Sequence, residues 1–207
     1  MSSSLSVYLL DVARTRALIG SGDDQLLEVM RAEFGDDMAR DDDYHRSSIE
    51  TGAPTSDEAL RAVIHGGPFD DDQNHAFQYG YAYKRLCSLT GRFLPNDCFT
   101  PHRGDWLSVV DQGLAAVGIT AVSVDAFSDG PLPAPLPYTG YTPGCDEWTP
   151  DRIAQALRQF GDARRAAEES GQTPQPEPHV KEAVEQCLDW MRYAVARPGH
   201  GVIGFRS

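Results

Sequence analysis

Between residues 65 and 105 stand His65, Asp70, Asp71, Asp72, His75, His102 and Asp105, imidazoles and carboxylates that together could hold a divalent ion or exchange protons near neutral pH. Their spacing fits no metal-binding pattern. His65 and His75 are separated by a Gly-Gly-Pro breaker, and neither HxH nor HExxH occurs. The plainer account is that Asp70, Asp71 and Asp72 precede a helix and complement its dipole, with His75 in the first turn. The segment His65-Gly66-Gly67-Pro68-Phe69 resembles an oxyanion loop, but no GxSxG accompanies it, so a helix end with a left-handed glycine explains it better. Pairing Cys98 with His102 would make a thiolate nucleophile, whereas a packed cysteine is the commoner role. No catalytic residue, metal or cofactor is assigned.

Aromatic and cationic side chains make a better candidate. Phe77, Tyr81, Lys84 and Arg85 recur along one side of a helix expected over about 73–90, and His102, Arg103 and Trp106 follow. Such residues favour interface centres, where they bring large contact area at modest entropic cost. They are expected to form one binding surface, provided the helix is not covered there. Its other side, with Ala76, Tyr79, Gly80, Tyr83, Leu86 and Cys87, is core by spacing.

The elements that must position these residues follow from periodicity and punctuation. Leu5, Val7 and Leu9 alternate as a strand over about 5–12. Ser21 is expected to cap a helix over 25–34, and Thr55 with Glu58 forms a capping box for a helix over about 56–65. Asp105–Val117 reads as an amphipathic helix and 119–127, ITAVSVDAF, as a second strand. Thr149 before Pro150 opens a helix, Pro178 opens a last one, and Val202–Phe205 is a final strand. Residues 36–53, with Asp36, Asp37, Asp41, Asp42 and Asp43, read as an acidic surface loop, and the prolines of 128–147 as a second loop. These elements predict a single α+β domain over 1–207, a small β-sheet covered by about six helices on one face.

The 207 residues carry a net charge of −13, and residues 1–60 supply −8 of it. Such acidity disfavours nucleic acid and anionic lipid as partners. No apolar run approaches the roughly 20 residues of a membrane span, and the N-terminus lacks a basic leader. Four widely spaced cysteines point to free thiols and a cytoplasmic location. LSVYLLD followed by IGSGDDQLL, the helix AYKRLCSLTG and the late GYTPGCDEWTPDRIAQAL resemble an uncharacterised actinobacterial hypothetical-protein family, a domain of unknown function. That resemblance covers most of the chain and implies one compact domain. The arginine bias, sixteen against two lysines, agrees with a GC-rich genome. Two functions remain open: a non-catalytic binding or regulatory protein, immunity- or inhibitor-like, with a protein or small-molecule partner, and a small-molecule enzyme using His and Asp from 65–105 in an aromatic-walled pocket.

Overall fold

The two ends of the chain meet in the middle of one sheet. In the computed structural model, which describes residues 3–70, 72–138, 143–171 and 177–207, β1 (Leu5–Asp11) pairs antiparallel along its whole length with β4 (His200–Arg206), from Leu5 opposite Arg206 to Asp11 opposite His200. On the far side of β4 lies β3 (Gly144–Trp148), and the two-residue β2 (Arg92–Phe93) lies beside β1, giving the order β2-β1-β4-β3. Alternation sends Leu5, Val7 and Leu9 to one face and Tyr8 and Leu10 to the other. Both faces are buried.

On the first face α6 (Trp106–Ala116), α8 (Pro150–Ser170) and α9 (Pro178–Val195) bring Val110, Leu114, Ile153, Val184, Leu188 and Trp190 against Leu5, Val7, Leu9, Trp148 and Val202. On the second, α1 (Val12–Arg16), α2 (Asp24–Tyr44), α4 (Ser56–His65) and α5 (Phe77–Thr90) bring Leu27, Met30, Leu60, Val63, Tyr83 and Leu86 against Tyr8, Leu10, Ile203 and Phe205. The single α+β domain is therefore three layers deep. The expectation of helices on one face is corrected, because β1 is apolar at both parities and needs cover on each. A short α7 (Ala126–Asp129) drops the Phe127 ring onto the sheet at Gly204, where any β-carbon would lie 2.4 Å from that ring.

Local punctuation behaves as expected at several ends. Thr55 and Glu58 close the capping box of α4, with Thr55 N–H donating to Glu58 Oε2 at 2.8 Å, and Gly66 ends that helix with φ of 79°. Thr149 caps α8 ahead of Pro150, and Pro178 opens α9. Tyr79, Tyr83 and Leu86 of α5 are buried, as its spacing predicts.

Three expectations are overturned by the structure. Residues 36–53 are not a loop: α2 is capped by Asp23 rather than Ser21, runs to Tyr44, and α3 (Arg46–Glu50) follows. The repulsion expected among its aspartates is relieved by partners, since Asp37 pairs with Arg40, Asp43 with Arg46, Asp41 with Arg85, and Asp42 accepts Ser56 N–H at 2.8 Å. Residues 119–127 are not a strand. Asp111 accepts Val124 N–H at 2.7 Å and Asp125 N–H at 3.3 Å, while Gln159 Oε1 accepts Thr120 N–H at 3.0 Å and Ala121 N–H at 3.1 Å. Side chains thus take the amides that a neighbouring strand would otherwise claim. Finally, the proline-rich segment 128–147 gives up its end to β3, where Cys145, Glu147 and Trp148 are buried; residues 139–142 of that segment lie outside the described ones. Among the described residues no helix is long and apolar enough to cross a membrane.

Candidate functional site

Helix α5 has two buried sides. One carries Tyr83 and Leu86 into the core beneath the sheet. The other turns Tyr81, Lys84 and Arg85 towards Phe34, Asp37, Arg40 and Asp41 of α2, lining an open cavity of about 360 Å³ with Tyr8 of β1. Phe77 and Tyr81 continue that wall under the His45 ring, whose centroid lies 4.6 Å from Phe77 and 6.0 Å from Tyr81. Burial among these rings pulls the His45 pKa down, against the opposing pull of Asp41 and Asp42.

The cations of this cavity are unevenly matched. Arg40 pairs with Asp37, and Arg85 donates through Nη2 to Asp41. Arg85 Nη1 is buried and has no hydrogen-bond acceptor. Among the described residues Lys84 Nζ bonds only to the Ser207 hydroxyl, at 3.4 Å. Burial lowers the pKa of both Lys84 and Arg85, with Asp41 opposing it in each case. A cation held in this state gains from any anion that enters.

The other expected members of the surface lie elsewhere. Trp106 packs against the opposite core, donates from Nε1 to the Cys98 carbonyl at 2.7 Å and stacks on His179 at 5.5 Å. His102 is buried, with Nδ1 2.8 Å from the Phe99 carbonyl and its backbone bonded to Ser3 in both directions at 2.9 Å. Arg103 is exposed beside it. The seven residues therefore do not form one surface, which sequence spacing could not foresee.

Of the His and Asp candidates, His75 Nδ1 lies 2.8 Å from Asp70 Oδ2, the one such pair that forms within 65–105 among the described residues. The backbone N–H of Asp72 and then His75 hold the Asp70 carboxyl below the ordinary aspartate pKa. His65 instead lies 3.2 Å from Asp24, and Asp105 makes no side-chain cap to α6. Asp71 falls outside the described residues. Among those residues no cluster of three or more His, Cys, Asp or Glu could hold a metal ion. All four cysteines are free, and burial pushes the thiols of Cys87, Cys145 and Cys187 well above the ordinary value and that of Cys98 upward. None is primed as a nucleophile.

Sequence reading missed Glu147. Its carboxylate is buried at β3, where it accepts Tyr83 OH at 3.0 Å and Arg16 Nε at 3.2 Å, and Arg16 Nη2 closes a second bond. Arg152 donates to the Glu147 carbonyl at 2.7 Å and to Asp146 at 3.1 Å. Beside this network is a cavity of about 230 Å³ walled by Pro131, Leu132 and Pro133. The available signal was parity. Cys145 and Glu147 alternate with Asp146 and Trp148, which places one acid on an inward position between two proline-rich breaks.

Fold and site together define a three-layer α+β protein with a charged cavity on one side of its sheet. The chain belongs to a family described as a domain of unknown function (DUF7691), which matches residues 1–207. No curated protein and no solved structure matches it.

Proposed function

We propose that the chain is a non-catalytic binding protein of regulatory kind, and that its ligand is a small molecule seated between α2 and α5. The observation that carries this reading is Arg85: a buried guanidinium at the wall of a 360 Å³ cavity, with one nitrogen unfilled. Leaving such a donor unsatisfied costs about 1–3 kcal/mol, a cost that a bound acceptor removes. Ligand cavities of a few hundred Å³ with a few convergent polar groups are typical of small-molecule sites. The same ion pairs argue against an immunity-like role for α2. Asp37, Asp41, Asp42 and Asp43 already hold partners within the chain, so less of that acidity is left to recruit a basic protein. Four free thiols favour a reducing, cytoplasmic setting.

A thermal-shift screen of the purified protein against a metabolite library tests the reading, because a ligand that binds only the folded state raises its melting temperature. Hits should lose their effect in Arg85→Met. A screen in which no compound acts through Arg85 rejects the reading.

The Asp70–His75 pair favours a second reading, an enzyme with His75 as general base. In that case His75→Gln abolishes turnover of a compound that the wild-type chain converts.

A further inference from the structure

We infer that the cavity between α2 and α5 is a site for a carboxylate monoanion with an apolar body, its carboxylate held by Lys84 and by the guanidinium of Arg85. This rests on the binding reading above and names its ligand class. The charge follows from the lining, where the three cations Arg40, Lys84 and Arg85 stand against the two carboxylates Asp37 and Asp41, each of which is bonded to an arginine. One unmatched cation calls for one negative charge. A planar carboxylate suits the place better than a phosphate dianion, because its two oxygens can take the guanidinium and the ammonium together while adding no charge the cavity leaves unbalanced. Recognition of the body falls to Phe34, Tyr8 and Tyr81, whose rings supply apolar area around the charged end.

Both Lys84 and Arg85 project from one rigid helix, whereas Asp41 comes from another. The α2 carboxylate is therefore a competitor for Arg85 as well as its support. Substituting it should help the ligand, although it weakens the fold. That opposite pair of effects separates a binding role from a structural one, since a purely structural ion pair loses function whichever partner is removed.

The test is calorimetric titration of the full chain with three probes of one shape: phenylacetate, neutral phenylacetamide and benzylphosphonate, with inorganic phosphate as a fourth. Phenylacetate is expected to bind at least about tenfold tighter than the amide, the margin of one charge-assisted hydrogen bond. Arg85→Met and Lys84→Met should each weaken it by about tenfold or more, while Asp41→Asn tightens it. Circular dichroism confirms that each variant is folded, and if Asp41→Asn does not fold, the two cation variants still decide. The carboxylate assignment is overturned if the amide binds as well as phenylacetate, if benzylphosphonate or phosphate binds tighter, if Asp41→Asn weakens binding as Arg85→Met does, or if no probe binds. Amide binding that still displaces the Tyr81 resonances would end the carboxylate assignment and keep the binding reading. Silence of both the probes and the metabolite screen ends both.

Discussion

Two buried ion pairs under the same face of the sheet are arranged in opposite senses. In Arg16–Glu147 the carboxylate is the buried partner, with 6% of its side chain exposed against 49% for the arginine. In Arg85–Asp41 the arginine is buried, at 9%, and the carboxylate is 40% exposed. Every acceptor of Glu147 that matters is used, by Arg16 and by Tyr83. Arg85 keeps a nitrogen in reserve. A saturated buried charge belongs to the architecture, whereas an unsaturated one beside a cavity has capacity for a ligand. The far side of the sheet is built mainly from rings and aliphatic groups. Its core is Trp148, Trp190, Phe127 and aliphatic side chains, and the indoles of Trp148 and Trp190 donate to the carbonyls of Ser123 and Pro95 at 2.9 and 2.7 Å.

The largest expected effect therefore lies in that aromatic core. Trp148→Ala should cost about 3–5 kcal/mol in urea denaturation, since Phe127 and Trp190 stack around a ring that no neighbour can replace. A loss under about 1 kcal/mol would show that this core closes up readily and is not the rigid half.

The two ion pairs should respond differently to loss of their arginines. Arg16→Ala strands a buried carboxylate and should cost about 3 kcal/mol, the low end for a broken buried pair because Tyr83 still donates. Glu147→Gln should cost less, because the arginine it releases is already half in water. Equal costs would remove the asymmetry. Arg85→Met removes the buried charge itself and its unfilled nitrogen, leaving Asp41 able to reach solvent, so stability should stay within about 1 kcal/mol of wild type. A loss as large as that of Arg16→Ala would make the pair structural and take away its capacity for a ligand.

The smallest effect is a pH dependence at the rim of the cavity. Burial holds the folded-state pKa of His45 below 6.5, so the unfolded chain binds the proton more readily. Its contribution to stability is complete above that ordinary value and is lost as pH falls through the lower folded pKa. His45→Phe keeps the ring packing on Phe77 and should flatten the stability profile below about pH 6.5 relative to wild type. A variant with an unchanged profile would show that the proton on His45 does not sense the α2–α5 cavity.

Much of the frame was legible because its signals are local. The capping box of Thr55 and Glu58, proline at the starts of α8 and α9, and the alternation of Leu5, Val7 and Leu9 each act within a few residues of chain. The shared side of α5 was legible too, since Tyr81, Lys84 and Arg85 do line one cavity and Phe77 packs with Tyr81 beside it. His102, Arg103 and Trp106 were assigned to it by nearness in sequence, whereas Trp106 packs in the opposite core and His102 bridges to Ser3. Glu147 was hidden inside a proline-rich stretch, where an edge strand of five residues leaves little periodicity to read.

The sequence by itself determined where helices start, which strands alternate and which side of α5 is core, because capping and periodicity are satisfied within a segment. Only the tertiary structure decided the fate of the charges and of the open amides. An aspartate run becomes a helix when arginines and the Ser56 amide answer it, and ITAVSVDAF remains irregular when Asp111 and Gln159 claim its N–H groups. Apart from Arg40 and Arg46, which stand three residues from Asp37 and Asp43, the partner in each case lies a dozen or more residues away in the chain, and contacts of that kind are decided by what folding brings within about 3 Å, not by what stands next in sequence.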